Sequence, residues 1–239
     1  MSNLWKRWGV LALAAMLMLS LAACGGGVNE KDVATYIQGR MEAYYLGQAN
    51  EEYMKLMEYS EEAIQEQYNM NVQAEAERML GFMDVKTDNK NVMDGVRAEA
   101  ESLVKDIYAK CKFTVGDTNK LKNGSFTTEV TVEPIELMYL ITNEDIDEIF
   151  SEILEEANCV TQEDYNNLTD AEYEDLEIQY GLAVLDRIRG HLANASYGTP
   201  QPMQVQMKLD EEDNSYAIVD DSWMSMDDKI IDYYGDYRS

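Results

Sequence analysis

The apolar residues of this chain switch twice from a helical to an extended period, which limits the possible folds more than any other feature. From Met93 through Val96, Ala100, Leu103, Val104 and Ile107 to Cys111 they return every three or four positions, the spacing of one helix face. At Phe113 the period becomes two. Phe113 and Val115 alternate with polar residues, Asn123-Gly124 favours a tight hairpin turn, and Phe126, Thr128, Val130 and Val132 then point one way. Thr127, Glu129, Thr131 and Glu133 point the other way, and Pro134 closes the strand or marks an edge. The same switch recurs later. Tyr173, Leu176, Tyr180, Val184, Leu185, Ile188 and Leu192 trace a helix; Met203, Val205, Met207 and Leu209 alternate with Gln204, Gln206 and Lys208; the polar stretch DEEDNS turns the chain into Tyr216 to Val219.

A helical pattern and a period-two pattern bury different faces, so each segment holds its own structure. The fold class that follows is α+β: an antiparallel sheet from two hairpins packed against amphipathic helices. The two helix-plus-hairpin stretches are loosely alike, which hints at an internal duplication with pseudo-repeats at 29–140 and 141–239.

Further helices are predicted elsewhere. Val33, Tyr36, Ile37, Met41, Tyr44 and Tyr45 share a face that Asn29 can cap and Gly47 can end. A short helix follows Asn50, carrying Tyr53, Met54 and Met57, and Ser60 starts a longer one through Ile64, Tyr68, Val72, Met79 and Met83. Asp84 to Asn91 is polar and reads as a loop. Thr142 begins one more helix through Ile146, Ile149, Phe150, Ile153 and Leu154, Thr161 starts the segment whose later part is the helix from Tyr173 to Leu192, and a last short helix carries Trp223, Met226, Ile230 and Tyr233.

The N-terminus is of another kind. Lys6 and Arg7 precede an apolar run from Gly9 to Ala23, too short for the ~20 residues of a membrane-spanning helix. A positive zone, a short apolar zone and small residues describe an export signal. It ends in Leu21-Ala22-Ala23-Cys24, which resembles the lipobox of bacterial lipoproteins. In that family the cysteine thiol receives a diacylglycerol and the signal is cut before it. The resemblance implies a signal peptide at 1–23, a lipidated Cys24 with a Gly-rich tether at 24–28, and an extracytoplasmic domain at 29–239. It also implies anchoring at the cell membrane, since two acyl chains hold a protein where one is marginal. With KCKFTVGD, NGSFTTEVTVEP and ANASYG before MQVQMKL, the chain resembles lipoproteins of unknown function of Gram-positive anaerobes, described as cystatin-like or nuclear-transport-factor-two-like. Those folds curl a sheet around helices and can hold a pocket.

Charge narrows the function. The chain carries 46 acidic and 19 basic residues, a net charge of −27. Such a surface repels nucleic acid and anionic lipid alike, so attachment falls to the lipid on Cys24 and the partner is a protein or cell-wall component. With Cys24 lipidated, Cys111 and Cys159 remain, either as a disulfide or as two buried thiols. Two cysteines and one histidine lack zinc-ligand spacing, so neither a metal site nor a cofactor is expected.

The remaining polar features each have a plain and a functional reading. His191 is either a catalytic base or a histidine of a last helical turn, and no nucleophile motif accompanies it. The acidic stretches Asp210 to Asp213 and Asp220, Asp221, Asp227 and Asp228 suggest calcium or a solvated charge run; they lack the spacing of an EF-hand loop. Tyr36, Tyr44, Tyr45, Tyr53, Tyr59 and Tyr68 are placed in the core by their helical spacing, while Tyr233, Tyr234 and Tyr237 at the chain end are ambiguous. The reading that follows is a non-catalytic binding or interaction protein. The alternatives are a small-molecule or cation-binding module with an internal pocket, and a cell-envelope hydrolase using paired carboxylates.

Overall fold

The structure is a computed structural model that describes residues 19–20, 27–86, 88–159, 161–210 and 215–238. Cys24, Gly25, Gly26, the expected signal peptide apart from residues 19–20, and Glu211 to Asn214 lie outside the described residues.

Eight α-helices are present among the described residues: α1 (Glu30–Met41), α2 (Glu51–Met57), α3 (Glu61–Phe82), α4 (Lys90–Tyr108), α5 (Asn143–Glu156), α6 (Gln162–Asn166), α7 (Asp170–His191) and α8 (Asp220–Asp227). Seven begin at a side-chain cap, on Asn29, Asn50, Ser60, Asn89, Thr142, Thr161 and Thr169. Asn29, Thr142, Thr161 and Thr169 form reciprocal boxes with the acid three residues on. Only α8 starts without one, at Val219. The loop before α4 is shorter than its polarity suggests, because Asn89 caps the helix inside it.

A π-helical turn, Glu42–Leu46, continues α1 and ends at Gly47 in the left-handed region (φ 63°). The wider turn buries Tyr44 and Tyr45 in succession. Close packing fixes Gly39 as well: a Cβ there would lie 2.1 Å from Cγ of Tyr53, so α2 can rest on α1 only with glycine at the contact.

The strands β1 (Lys112–Lys120), β2 (Phe126–Glu133), β5 (Gln201–Asp210) and β6 (Ser215–Ile218) form one antiparallel sheet in that order, and Leu19–Ser20 pairs outside β6. Each hairpin supplies two strands, and they join where Phe126 faces Met207 and Val130 faces Met203. Phe126, Thr128, Val130, Val132, Val205 and Met207 are buried, while Glu129, Gln204, Gln206 and Lys208 face solvent. Helices therefore cover one face. The outer edge of β1 is interrupted by a register shift between Val115 and Thr118 and carries lysines at both ends, which guards it against pairing with another chain.

A second, two-stranded sheet pairs β3 (Ile135–Glu136) with β4 (Ser196–Tyr197). The chain after α8 lies along it. The Ile135 amide donates to the Ile230 carbonyl (2.9 Å), and the Asp232 amide donates to the Ile135 carbonyl (3.0 Å). This corrects the expectation for the last helix. It stops at Asp227, because the backbone of Ile230 to Asp232 is taken up by β3; Ile230 and Tyr233 are buried from the tail instead.

Candidate functional site

Of the polar residues that the fold buries, Arg40, Asn71, Glu75 and Asp232 lie on α1, α3 and the tail, whereas Ser125, Thr128, Glu136 and Ser215 lie on or beside the sheets. One part of the first group centres on Arg40, in the last turn of α1, which is 6% exposed. Its Nη1 donates to the Tyr36 hydroxyl (3.1 Å), and its guanidinium lies over the Trp223 ring (4.5 Å to the centroid) and near Tyr44 (6.0 Å). Among the described residues no carboxylate pairs with it. The Arg40 Nε, the Tyr53 hydroxyl and the Trp223 Nε1 are buried without a hydrogen-bond partner. Burial pulls the guanidinium down, but the surrounding tyrosines, Tyr36 first, leave it raised above its ordinary value.

The other part centres on two carboxylates. Glu75, mid-way along α3, is 7% exposed and accepts from the Tyr233 hydroxyl (2.6 Å). Half-buried Asp227, the last residue of α8, accepts from the Tyr45 hydroxyl (2.5 Å). Arg78 is shared: its guanidinium lies 3.8 Å from Glu75 and 3.0 Å from Asp228, and over the Tyr233 ring. Burial, and then the charge of Asp227, push the Glu75 carboxyl from 4.5 up to about 7. Asp227 is also raised, chiefly by burial.

The rings form a continuous nest around these charges. Tyr45 stacks on Trp223 and meets Tyr44 and Tyr108 edge-on. Asn71 donates to the Tyr44 carbonyl (2.9 Å) and to the Tyr108 hydroxyl (3.3 Å), tying α3 to the π-helical turn. Burial raises Tyr44, Tyr45, Tyr53, Tyr108 and Tyr233, so their hydroxyls stay protonated and can donate.

The sequence-predicted residues are placed as follows. Tyr36, Tyr44, Tyr45 and Tyr53 are buried, and Tyr59 and Tyr68 are half-buried against the core. Tyr233 is buried, and Tyr234 is 75% exposed. Of the acidic stretches, Asp227 and Asp228 enter the site, whereas Asp220 and Asp221 are exposed. His191 ends α7, half-buried. Cys111 and Cys159 are both free thiols in this structure. Cys111 follows α4 beside the nest, where burial and the charge of Asp227 push its thiol up to about 12; Cys159 is buried after α5. Raised thiols are poor nucleophiles.

Glu75, Arg40, Arg78, Asn71 and Tyr108 are site residues that the sequence reading passes over. A signal was present for two of them: Glu75 falls on the apolar stripe between Val72 and Met79, and Arg40 falls between Ile37 and Tyr44. A charge on a buried stripe marks a buried charge.

Three open grooves, of about 570, 380 and 460 Å³, lie elsewhere, on the outer face of α3, between α1 and Val115, and beside Lys112 and Phe113. Neither Glu75 nor Asp227 lines any of the three. Among the described residues, no group of three or more His, Cys, Asp or Glu is arranged to hold a metal ion, and no helix is long and apolar enough to cross a membrane.

No protein-family model matches the chain, and no curated protein matches it. One solved structure, of a protein described as a candidate lipoprotein (ycdA) from Bacillus subtilis, is similar with a TM-score of 0.50 at 12% identity. The match covers 93% of this chain and 59% of that one, so this chain spans under two thirds of its neighbour. At that identity the likeness speaks to the fold.

Proposed function

We propose that this chain is a lipid-anchored binding domain, held on the outer face of the cell membrane through Cys24, and that it is not an enzyme. The observation that carries the reading is Leu21-Ala22-Ala23-Cys24 behind a short apolar run and two basic residues. The fold likeness to a candidate lipoprotein supports it. So does the charge of −27, which keeps the domain off an anionic membrane surface and leaves attachment to the lipid. The partner is a protein or a cell-wall polymer, and the acidic surface favours one that carries positive charge.

The hydrolase alternative calls for two carboxylates facing a cleft. Glu75 and Asp227 are both raised, but Glu75 is capped by the Tyr233 hydroxyl of the tail and Asp227 by the Tyr45 hydroxyl of the π-helical turn, and neither lines a groove. This favours packing over chemistry for the pair.

Growth with an alkyne-tagged fatty acid tests the anchor. The full chain takes up label and stays with the membrane fraction, and Cys24→Ala loses both. Label retained in Cys24→Ala overturns the assignment. Hydrolysis of a cell-wall polymer by the full chain, abolished in Glu75→Gln, would overturn the non-catalytic half.

A further inference from the structure

The tail after α8 is built as a strap. Asp232 organises it from within: its buried carboxylate accepts from the amides of Tyr234 (3.3 Å), Gly235 (2.8 Å), Asp236 (3.1 Å) and Tyr237 (3.1 Å). At its far end the Thr199 amide donates to the Tyr237 carbonyl (2.7 Å), and Arg238 lies over the Tyr139 ring (3.7 Å). Lys229 donates to the Tyr237 hydroxyl (2.8 Å), so this cation of the strap is turned along it. At its near end it meets the rest of the protein through carboxylates: Tyr233 through Glu75, and the end of α8 through the Asp227–Tyr45 hydrogen bond.

The charges around those two carboxylates do not balance. Glu75 faces Arg78 from its own helix, Asp227, Asp228 and Tyr233 from α8 and the tail, and Tyr44 and Tyr108 from the π-helical turn and α4. Asp227 faces Arg78, Asp228, Arg40 and Tyr45, and its charge is felt by Tyr44, Tyr108 and Cys111. Arg78 is the cation nearest Glu75 and also serves Asp228 (3.0 Å). Ionising Glu75 and Asp227 together therefore places like charges in a desolvated nest with too few cations beside them.

We propose that the segment from Asp228 to Arg238 is a pH-sensitive strap, closed over α3 while at least one of Glu75 and Asp227 is protonated and loosened when both are ionised. The Glu75 carboxyl, raised to about 7, puts the transition near neutrality. Loosening frees Tyr233 from Glu75 and uncovers Phe82, whose ring meets both Tyr233 (5.0 Å) and Tyr234 (5.4 Å). It also frees the β3 edge that Ile231 occupies. An apolar surface and an open strand edge are what a binding domain presents to a partner. That use rests on the outward-facing reading above, because only there does the domain meet changing external pH; the strap itself does not depend on it.

Hydrogen exchange read by mass spectrometry tests it, on the full chain in detergent at pH 5 and pH 8, corrected for intrinsic rates. Protection of the tail amides falls about tenfold or more at pH 8, while amides of α4 and α7 keep theirs. In Glu75→Gln/Asp227→Asn the tail is equally protected at both pH values. Equal protection in the unsubstituted chain, or a loss that persists in the double variant, overturns the proposal. Glu75→Gln alone, checked for a native circular dichroism spectrum, gives a smaller pH effect than the unsubstituted chain; an undiminished effect counts against it. Failure of Cys24→Ala to lose its lipid label would leave this result untouched, so the two readings fail separately.

Discussion

Arg40 on α1 and Glu75 on α3 are buried to nearly the same degree, 6% and 7% exposed, and Tyr44 feels the charge of both. They meet burial differently. Arg40 keeps its charge, because a delocalised guanidinium is weakly hydrated and can be solvated by aromatic faces and a hydroxyl, here Trp223, Tyr44 and Tyr36. Glu75 has no such option. A buried carboxylate concentrates its charge on two oxygens, and one hydroxyl donor with a shared arginine does not replace the lost water. The Glu75 carboxyl is pushed up to about 7 instead, chiefly by burial. One nest thus holds a fixed charge and a titrating one, and the titrating one touches the tail.

Removing the fixed charge breaks the comparison most severely. Arg40→Ala leaves a cavity between Tyr36 and Trp223 and costs about 3 kcal/mol or more in urea unfolding. Arg40→Met, which refills the volume, recovers most of it. A loss in Arg40→Ala that grows from pH 5 to pH 8 would show that Arg40 also offsets the charge of Asp227, which it faces, and an equal loss would confine its role to packing.

Glu75→Gln sharpens the comparison. The folded Glu75 carboxyl sits above its unfolded value, so its stabilising contribution is complete below about pH 4.5 and is lost as pH rises to about 7. The loss is of order 3 kcal/mol, by the energy per pKa unit. Glu75→Gln flattens that descent and is the more stable protein at pH 8, read from melting temperatures across pH. Asp145, held down to about 2 by its cap with Thr142, works in the opposite sense, losing its contribution as pH falls below the ordinary carboxylate range. An unchanged slope in Glu75→Gln would move the titration to another group.

Tyr233→Phe has the smallest effect, about 1 kcal/mol for the lost hydrogen bond. Its direction is informative. The Tyr233 hydroxyl stabilises the ionised Glu75, so removing it drives the Glu75 carboxyl higher still, measured by carbon-13 chemical shift of the side chain. A downward shift would mean that the hydroxyl accepts rather than donates.

Much of the secondary structure was legible because its causes are local. Asn29, Ser60, Thr142 and Thr161 cap the helices that follow them within three residues, and Asn123-Gly124 turns the first hairpin. The expected helix through Ile230 and Tyr233 failed for a non-local reason, since β3 competes for that backbone. The site was illegible for the same reason. Tyr233 and Glu75 are 158 positions apart, and Tyr45 and Asp227 are 182 apart. Asp227 and Asp228 read as a solvated charge run, yet one is drawn into the nest and the other pairs with Arg78 at its rim. The free state of Cys111 and Cys159 belongs with these, since which thiols approach each other is set by chain path rather than by spacing.

The sequence by itself determined the α+β class, the two hairpins and the helix starts, because period and capping act over a few residues. Only the tertiary structure decided that a glutamate on an apolar stripe, an aspartate from an acidic run and two tyrosines from opposite ends of the chain share one desolvated space. Desolvation belongs to the assembled packing and to no single residue, so it is there that an ordinary carboxylate becomes one that titrates near neutrality.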